Sequence, residues 1–143
     1  MSLDRIGATY QPYLLGLFRF VTGLLFFHYG VAKLFKFPPV EIFEDVTPFS
    51  LWGVAGMIEL VFGAMLMLGL FTRVAAFILS GEMAFAYFIE HFPHSFYPLL
   101  NEGALAIMFC FSCLYLAAAG GGPLSLDAVL HIEPRLQPDA SRT

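Results

Sequence analysis

The chain has 143 residues, of which 59% are apolar and only 13% charged, with a formal net charge of −4. That balance excludes an ordinary soluble domain, whose charged share is about twice as large, and the absence of a basic block excludes a nucleic-acid partner. The apolar residues gather in stretches of ~20, long enough to cross a bilayer, so the expected class is all-α: one domain over 1–143, an integral membrane four-helix bundle.

Residues 1–12 are polar and end in Gln11-Pro12, which can open a helix at its first turn. The first span is expected over about 13–35. No small-x-small cleavage site follows it, and it is longer than a signal sequence core, so it is read as retained. Gly16, Gly23 and Gly30 recur every seven residues and share one face. A stripe of small residues on a membrane helix marks close packing against a neighbour. Arg19 and Lys33 lie within about 60° of that stripe, so Arg19 should point into the bundle and not at lipid. His28 falls on the opposite side.

Pro38-Pro39 stops the first helix, and 36–50 reads as an acidic surface loop carrying Glu41, Glu44 and Asp45. The second span is expected over about 51–70, with Gly56 and Gly63 on the face of Glu59. Gly69-Leu70-Phe71-Thr72-Arg73 turns the chain back into a third span over about 74–92, with Glu82 at its centre and Glu90-His91 at its end. A loop over 93–100 contains His94. The fourth span is expected over about 101–119, opened by Asn101-Glu102 and closed by Gly120-Gly121-Gly122-Pro123. The tail 120–143 is polar, with a short surface helix near 124–130 and disorder beyond. Arg5, Arg73, Arg135 and Arg142 fall on the side of the termini, which places both termini in the cytoplasm.

Glu59 and Glu82 sit at similar depth, ~13–18 Å from the turn that joins their helices. Carboxylates at that depth cost on the order of 3 kcal/mol each on insertion scales and need partners. Arg19 is the expected partner. Two charged carboxylates facing one cation are unfavourable, so one of them is expected to hold a proton. Arg19, Glu59 and Glu82 then form either a structural clamp or a proton relay. A second layer lies nearer the opposite surface and comprises His28, Lys33, Glu90, His91, Asn101 and Glu102. Glu102 can cap the fourth helix. Histidine beside a carboxylate also suits a quinone site, which needs a donor to the ring carbonyl and a group that relays its proton. Candidate catalytic groups are therefore Glu102, His91 and His28, with Lys33, Asn101 and Glu90 binding the ring. No metal is expected. Cys110 and Cys113 share a helix face deep in apolar surroundings and read as packing residues.

Arg19-Phe-x-x-Gly23, Gly30-x-x-Lys33-Leu-Phe, Glu59-x-x-x-Gly63, Gly69-Leu-Phe-Thr-Arg73, Asn101-Glu102-Gly and Ser125-Leu-Asp127 follow one another in fixed order. In this the chain resembles the DoxX family of small bacterial membrane proteins over most of 13–127. The resemblance implies a multi-pass protein of the bacterial plasma (inner) membrane with a role in redox chemistry. Some members are subunits of thiosulfate:quinone oxidoreductases. Others accompany thiol-oxidant defence enzymes or are linked to catechol metabolism. It implies no set of catalytic residues and no role for the Cys-x-x-Cys.

The expected function is a membrane subunit that passes electrons from a small sulfur or other donor, or from a partner enzyme, to the quinone pool. No covalent cofactor is expected, since the chain has no haem-attachment motif, cysteine cluster or dinucleotide glycine loop; a bound quinone is the expected cofactor. The expected partners are the lipid bilayer, an oxidoreductase subunit and further copies of the chain. Two other functions stay open: a non-catalytic assembly protein, and a small proton-coupled transporter.

Overall fold

The computed structural model describes residues 2–132. Among them all regular structure is helical: α1 (Leu3–Phe35), α2 (Leu51–Leu68), α3 (Thr72–Ala86, continued by a π-helical turn, Tyr87–His91), α4 (Ala104–Ala119) and α5 (Leu126–Val129). The tail beyond 132, with Arg135 and Arg142, lies outside the described residues.

The first helix starts ten residues earlier than its composition suggests. The Ser2 side chain accepts the Arg5 N–H and Asp4 occupies the first turn, so the polar segment is capped as helix. Pro12 lies inside α1 and does not open it. α2 is capped by Ser50, whose hydroxyl accepts the Gly53 N–H at 3.0 Å. It ends in a Schellman turn: Gly69, at φ +70°, donates to Leu66 O, and Leu70 donates to Met65 O at 2.8 Å.

α1 packs along α2, and α3 packs along α4; the contact of α1 with α4 is thin. Small residues set the first of these interfaces. A Cβ on Gly23 would lie 2.3 Å from Met67 N, and one on Gly30 would lie 2.6 Å from Leu60 N. Both distances are far inside contact, so the backbones touch as the glycine stripe predicts. Gly23→Ala is accordingly expected to lower the thermal midpoint in detergent markedly. Gly7→Ala, where a Cβ meets nothing within 4 Å, is expected to leave it unchanged or slightly higher. Equal midpoints for the two variants would show that the close approach carries no stability.

This antiparallel register fixes which polar groups can meet. Lys33 falls level with the turn of α2 that holds Gly56 and Glu59. Arg19 falls level with the turn 69–73.

The half of the bundle nearest that turn is filled by Leu66, Ala76, Leu79, Cys113 and Leu116, all fully buried, with Phe26 packed against Phe109 above them, ring centres 4.7 Å apart and planes tilted by 45°. Cys113 is thus a core residue, and both cysteines are free thiols. Leu3–Phe35, Leu51–Leu68 and Thr72–His91 are long and apolar enough to cross a membrane; Ala104–Ala119 is apolar but shorter, ~24 Å by helical rise. Large apolar side chains, among them Phe77, Phe85, Phe111 and Met108, cover the outside, as expected where the solvent is lipid.

Candidate functional site

The buried polar groups fall at two places, grouped differently from the depth estimate. The first is a clamp at the N-terminal end of the bundle. Arg19 is 2% exposed, and its guanidinium meets carbonyls where a carboxylate partner was expected. Nη1 donates to Leu66 O (2.8 Å) and Met67 O (2.7 Å), Nε to Gly121 O (3.1 Å), and Nη2 to Leu124 O (2.6 Å). These carbonyls lie at the end of α2, where Leu66 O also accepts from Gly69, and in the segment after α4. The planar fork of arginine suits them, and the partial negative charge of a helix end favours a cation. Arg19 therefore joins α1, α2 and the segment after α4, and does not share a site with Glu59 and Glu82.

Asp127, 1% exposed, completes the clamp. Its carboxylate accepts the N–H groups of Phe71 (2.7 Å) and Thr72 (2.9 Å), the free donors that open α3, and its own N–H donates to Gly69 O (2.9 Å). This is why α3 begins at Thr72, two residues before the expected position. Arg73 similarly donates to Ala117 O and Ala118 O at the end of α4. Periodicity did not reveal Asp127; the signal was an acidic residue placed just after the last apolar run.

The second place is a cavity of about 630 Å³ between the α1/α2 pair and the α3/α4 pair, in the half away from the N-terminus. It exists because Ala55, Gly81, Ala86 and Ala106 face one another there and leave space. Glu59 and Glu82 line it together with Lys33, Glu90, His91 and Glu102. The two expected layers are thus one site, with Arg19 removed from it. Tyr29, Phe43 and Trp52 form an aromatic wall, with Trp52 5.8 Å from Phe43.

Lys33 Nζ lies 2.8 Å from both carboxylate oxygens of Glu59 and donates to Oε1. It also stands 5.9 Å from the ring centre of Tyr29 and 5.6 Å from that of Phe43, so the ammonium is held by charge and by two ring faces. The two oxygens of Glu82 are buried and have no hydrogen-bond partner among the described residues. Glu59 and Lys33 lie close enough to act on Glu82 electrostatically.

The π-helical turn at the end of α3 carries the next two groups. Glu90 Oε1 accepts from Trp52 Nε1 at 3.0 Å. His91 Nδ1 lies 2.8 Å from Asn101 O. A carbonyl can only accept, so Nδ1 carries the proton and a neutral ring keeps its lone pair on Nε2. Tyr87 stacks on the same ring at 26°.

Asn101 and Glu102 differ from expectation. α4 starts at Ala104, not 101, because Asn101 Oδ1 accepts the Gly103 N–H (2.8 Å) while Nδ2 donates to Ser95 O (2.8 Å). Asn101 is a buried loop fastener and leaves the cavity lining to its neighbours. The N-terminus of α4 has no side-chain cap, and Glu102 caps no helix end among the described residues. It sits at φ +58°, a left-handed conformation that disfavours a side chain, and lines the cavity. His28 is exposed on α1 and does not line the cavity. Among the described residues no group of three or more histidine, cysteine or carboxylate side chains is arranged to hold a metal ion.

The family model for DoxX matches residues 14–92. The chain belongs to the DoxX family. A protein of Haemophilus influenzae described as uncharacterized is 41% identical over 122 residues, which cover 82% of this chain and 91% of that relative. No solved structure matches. With its apolar helices, this DoxX protein is a multi-pass membrane protein. The DoxX match covers α1 from residue 14, then α2 and α3, hence Lys33, Glu59, Glu82 and His91, and stops before Glu102 and Asp127.

Proposed function

We propose that this DoxX protein is the membrane subunit of a quinone-linked redox system, and that the cavity between its helix pairs holds the ring headgroup. One observation carries this: an aromatic-walled cavity of about 630 Å³ contains a buried carboxyl group, Glu82, that has no hydrogen-bond partner among the described residues. A volume of ~300–1,000 Å³ is usual for a small-ligand site. The residues fit such a ring. Tyr29, Phe43 and Trp52 offer faces for stacking, while Glu82 and His91 offer oxygen and nitrogen atoms for its polar edge.

When bound, the quinone supplies two-electron chemistry, and a partner enzyme exchanges the electrons. The protein's own residues orient the ring and move protons. His91, fixed by Asn101 O, exchanges a proton at Nε2. Glu82 gives or takes the second at its carboxyl group. The Lys33–Glu59 pair holds α1 to α2 beside the ring and keeps the charge on Glu59 balanced. The cavity carries four carboxyl groups, Glu59, Glu82, Glu90 and Glu102, against one ammonium. That excess disfavours an anionic sulfur donor in this cavity, so electrons are better supplied through the partner.

The proposed location is the bacterial inner membrane, with the end that carries Arg5 and Arg73 in the cytoplasm and the acidic loop 36–50 outside. In that loop Lys36 is already held by Phe43 O and Val46 O, both at 2.6 Å.

Mass spectrometry of the protein purified in mild detergent tests the function. The ring, as quinone or its hydroquinone, is expected to co-purify near stoichiometrically and to be lost from His91→Ala and Glu82→Leu. Absence of both forms, or retention by both variants equal to that of the unaltered protein, would remove the redox function and leave a structural or assembly role.

A further inference from the structure

The cavity's hydrogen-bonding groups are unequal in kind. Lys33 is the strongest donor, and it is committed to Glu59 and to two aromatic faces. Trp52 Nε1 is committed to Glu90, and His91 Nδ1 to Asn101 O. The groups left for a ligand are mostly acceptors: Glu82, the second oxygen of Glu90, the Glu102 carboxylate and the Nε2 lone pair of His91. A carboxyl group offers more acceptor than donor sites whether or not it holds a proton. Among side chains in the lining, the Tyr29 hydroxyl is the main donor left to oppose them.

A quinone presents two carbonyl oxygens and no donor, so it meets this lining acceptor to acceptor. The corresponding hydroquinone presents two O–H donors on a ring of the same size. From this mismatch we infer that the cavity selects the hydroxyl-bearing, reduced ring over the dione. The inference rests on the ring-binding function proposed above and names the form of ligand that the site holds. A buried acceptor left facing another acceptor is costly, and a hydrogen bond to a charged group is stronger than one between neutral groups. Each O–H that meets a carboxyl group therefore adds to the selection. Because ring size and stacking are common to the two forms, the preference reads out the polar groups alone.

Calorimetric titration of the full chain in lipid nanodiscs, under anaerobic conditions, tests this with a benzoquinone bearing one isoprenyl unit and with its hydroquinone. The hydroquinone is expected to bind about tenfold more tightly or better. Glu82→Gln places N–H donors where the carboxyl group stood, so it should narrow the ratio. Glu102→Gln, at an exposed position with no capping role, should narrow it without disturbing the fold. Equal or tighter binding of the dione overturns the preference and leaves the ring site standing. Binding of neither form overturns both. A preference kept in full by both variants overturns the assignment of these acceptors.

Discussion

Arg19→Met is expected to cost more folded protein than any other single replacement in the bundle. The side chain is buried and its guanidinium satisfies the carbonyls of Leu66, Met67, Gly121 and Leu124. Hydrogen bonds from a charged group contribute ~1.5–3 kcal/mol each, and a buried acceptor left unpaired costs ~1–3 kcal/mol. Even partial relief by lipid or water leaves a loss of ~3–5 kcal/mol, a large share of the ~5–15 kcal/mol that holds an ordinary domain together. The replacement removes the link between α1, the end of α2 and the segment after α4 together. Arg19→Lys should fall between the two, since an ammonium keeps the charge but lacks the fork that reaches several carbonyls. Size-exclusion profiles and thermal midpoints in one detergent measure this; a midpoint for Arg19→Met equal to that of the unaltered protein would show that the clamp is ornamental.

Lys33→Met is the second large effect, and here the fold and the site can be separated. Removing the lysine leaves Glu59, 2% exposed, as an uncompensated charge beside Glu82. Breaking a buried ion pair in this way costs ~3–5 kcal/mol. Replacing both members by apolar side chains of similar volume, Lys33→Met with Glu59→Met, removes the charge as well and should restore most of the stability. The double variant is expected to fold and to keep ring binding, because Glu82, His91 and Glu102 still line the cavity. If the single and double variants are equally stable, the 2.8 Å contact between Lys33 and Glu59 carries no weight in folding.

Much of this bundle is legible in the chain because the physics that sets it is local and periodic. The hairpin around 69–73 follows from two apolar runs and a glycine-led turn. The close α1/α2 interface follows from glycines at 23 and 30 facing those at 56 and 63. That Glu59 and Glu82 lie inside and need company follows from their depth. The choice of company does not follow, because it depends on how far α1 slides along α2. Counting depth from an expected start at 13 places Arg19 beside the carboxylates. The backbone contacts of Gly23 with Met67 and Gly30 with Leu60 instead bring Arg19 level with the turn 69–73 and Lys33 level with Glu59. A shift of about two helical turns thus exchanged the cation of the site. Asn101 and Glu102 were obscured for a different reason. An Asn-Glu pair before an apolar run reads as a helix start, yet the Asn101 side chain fastens the loop and turns Glu102 through a positive φ. Such backbone reversals leave no period to detect. The cavity depends on small residues from three helices facing one another, which only the assembled bundle reveals.

The central claim is that the cavity between the helix pairs holds an aromatic ring, and Trp52 gives direct access to it. It is the chain's one tryptophan, it lines the cavity, and its indole N–H is held by Glu90. Fluorescence of the purified protein, titrated with the isoprenyl benzoquinone and its hydroquinone, should change saturably at one equivalent of ring. The change should be lost from His91→Ala and from Glu82→Leu. A linear, unsaturable response, or one identical in those variants, would contradict a ring site between the helices and leave the cavity as a gap in the packing.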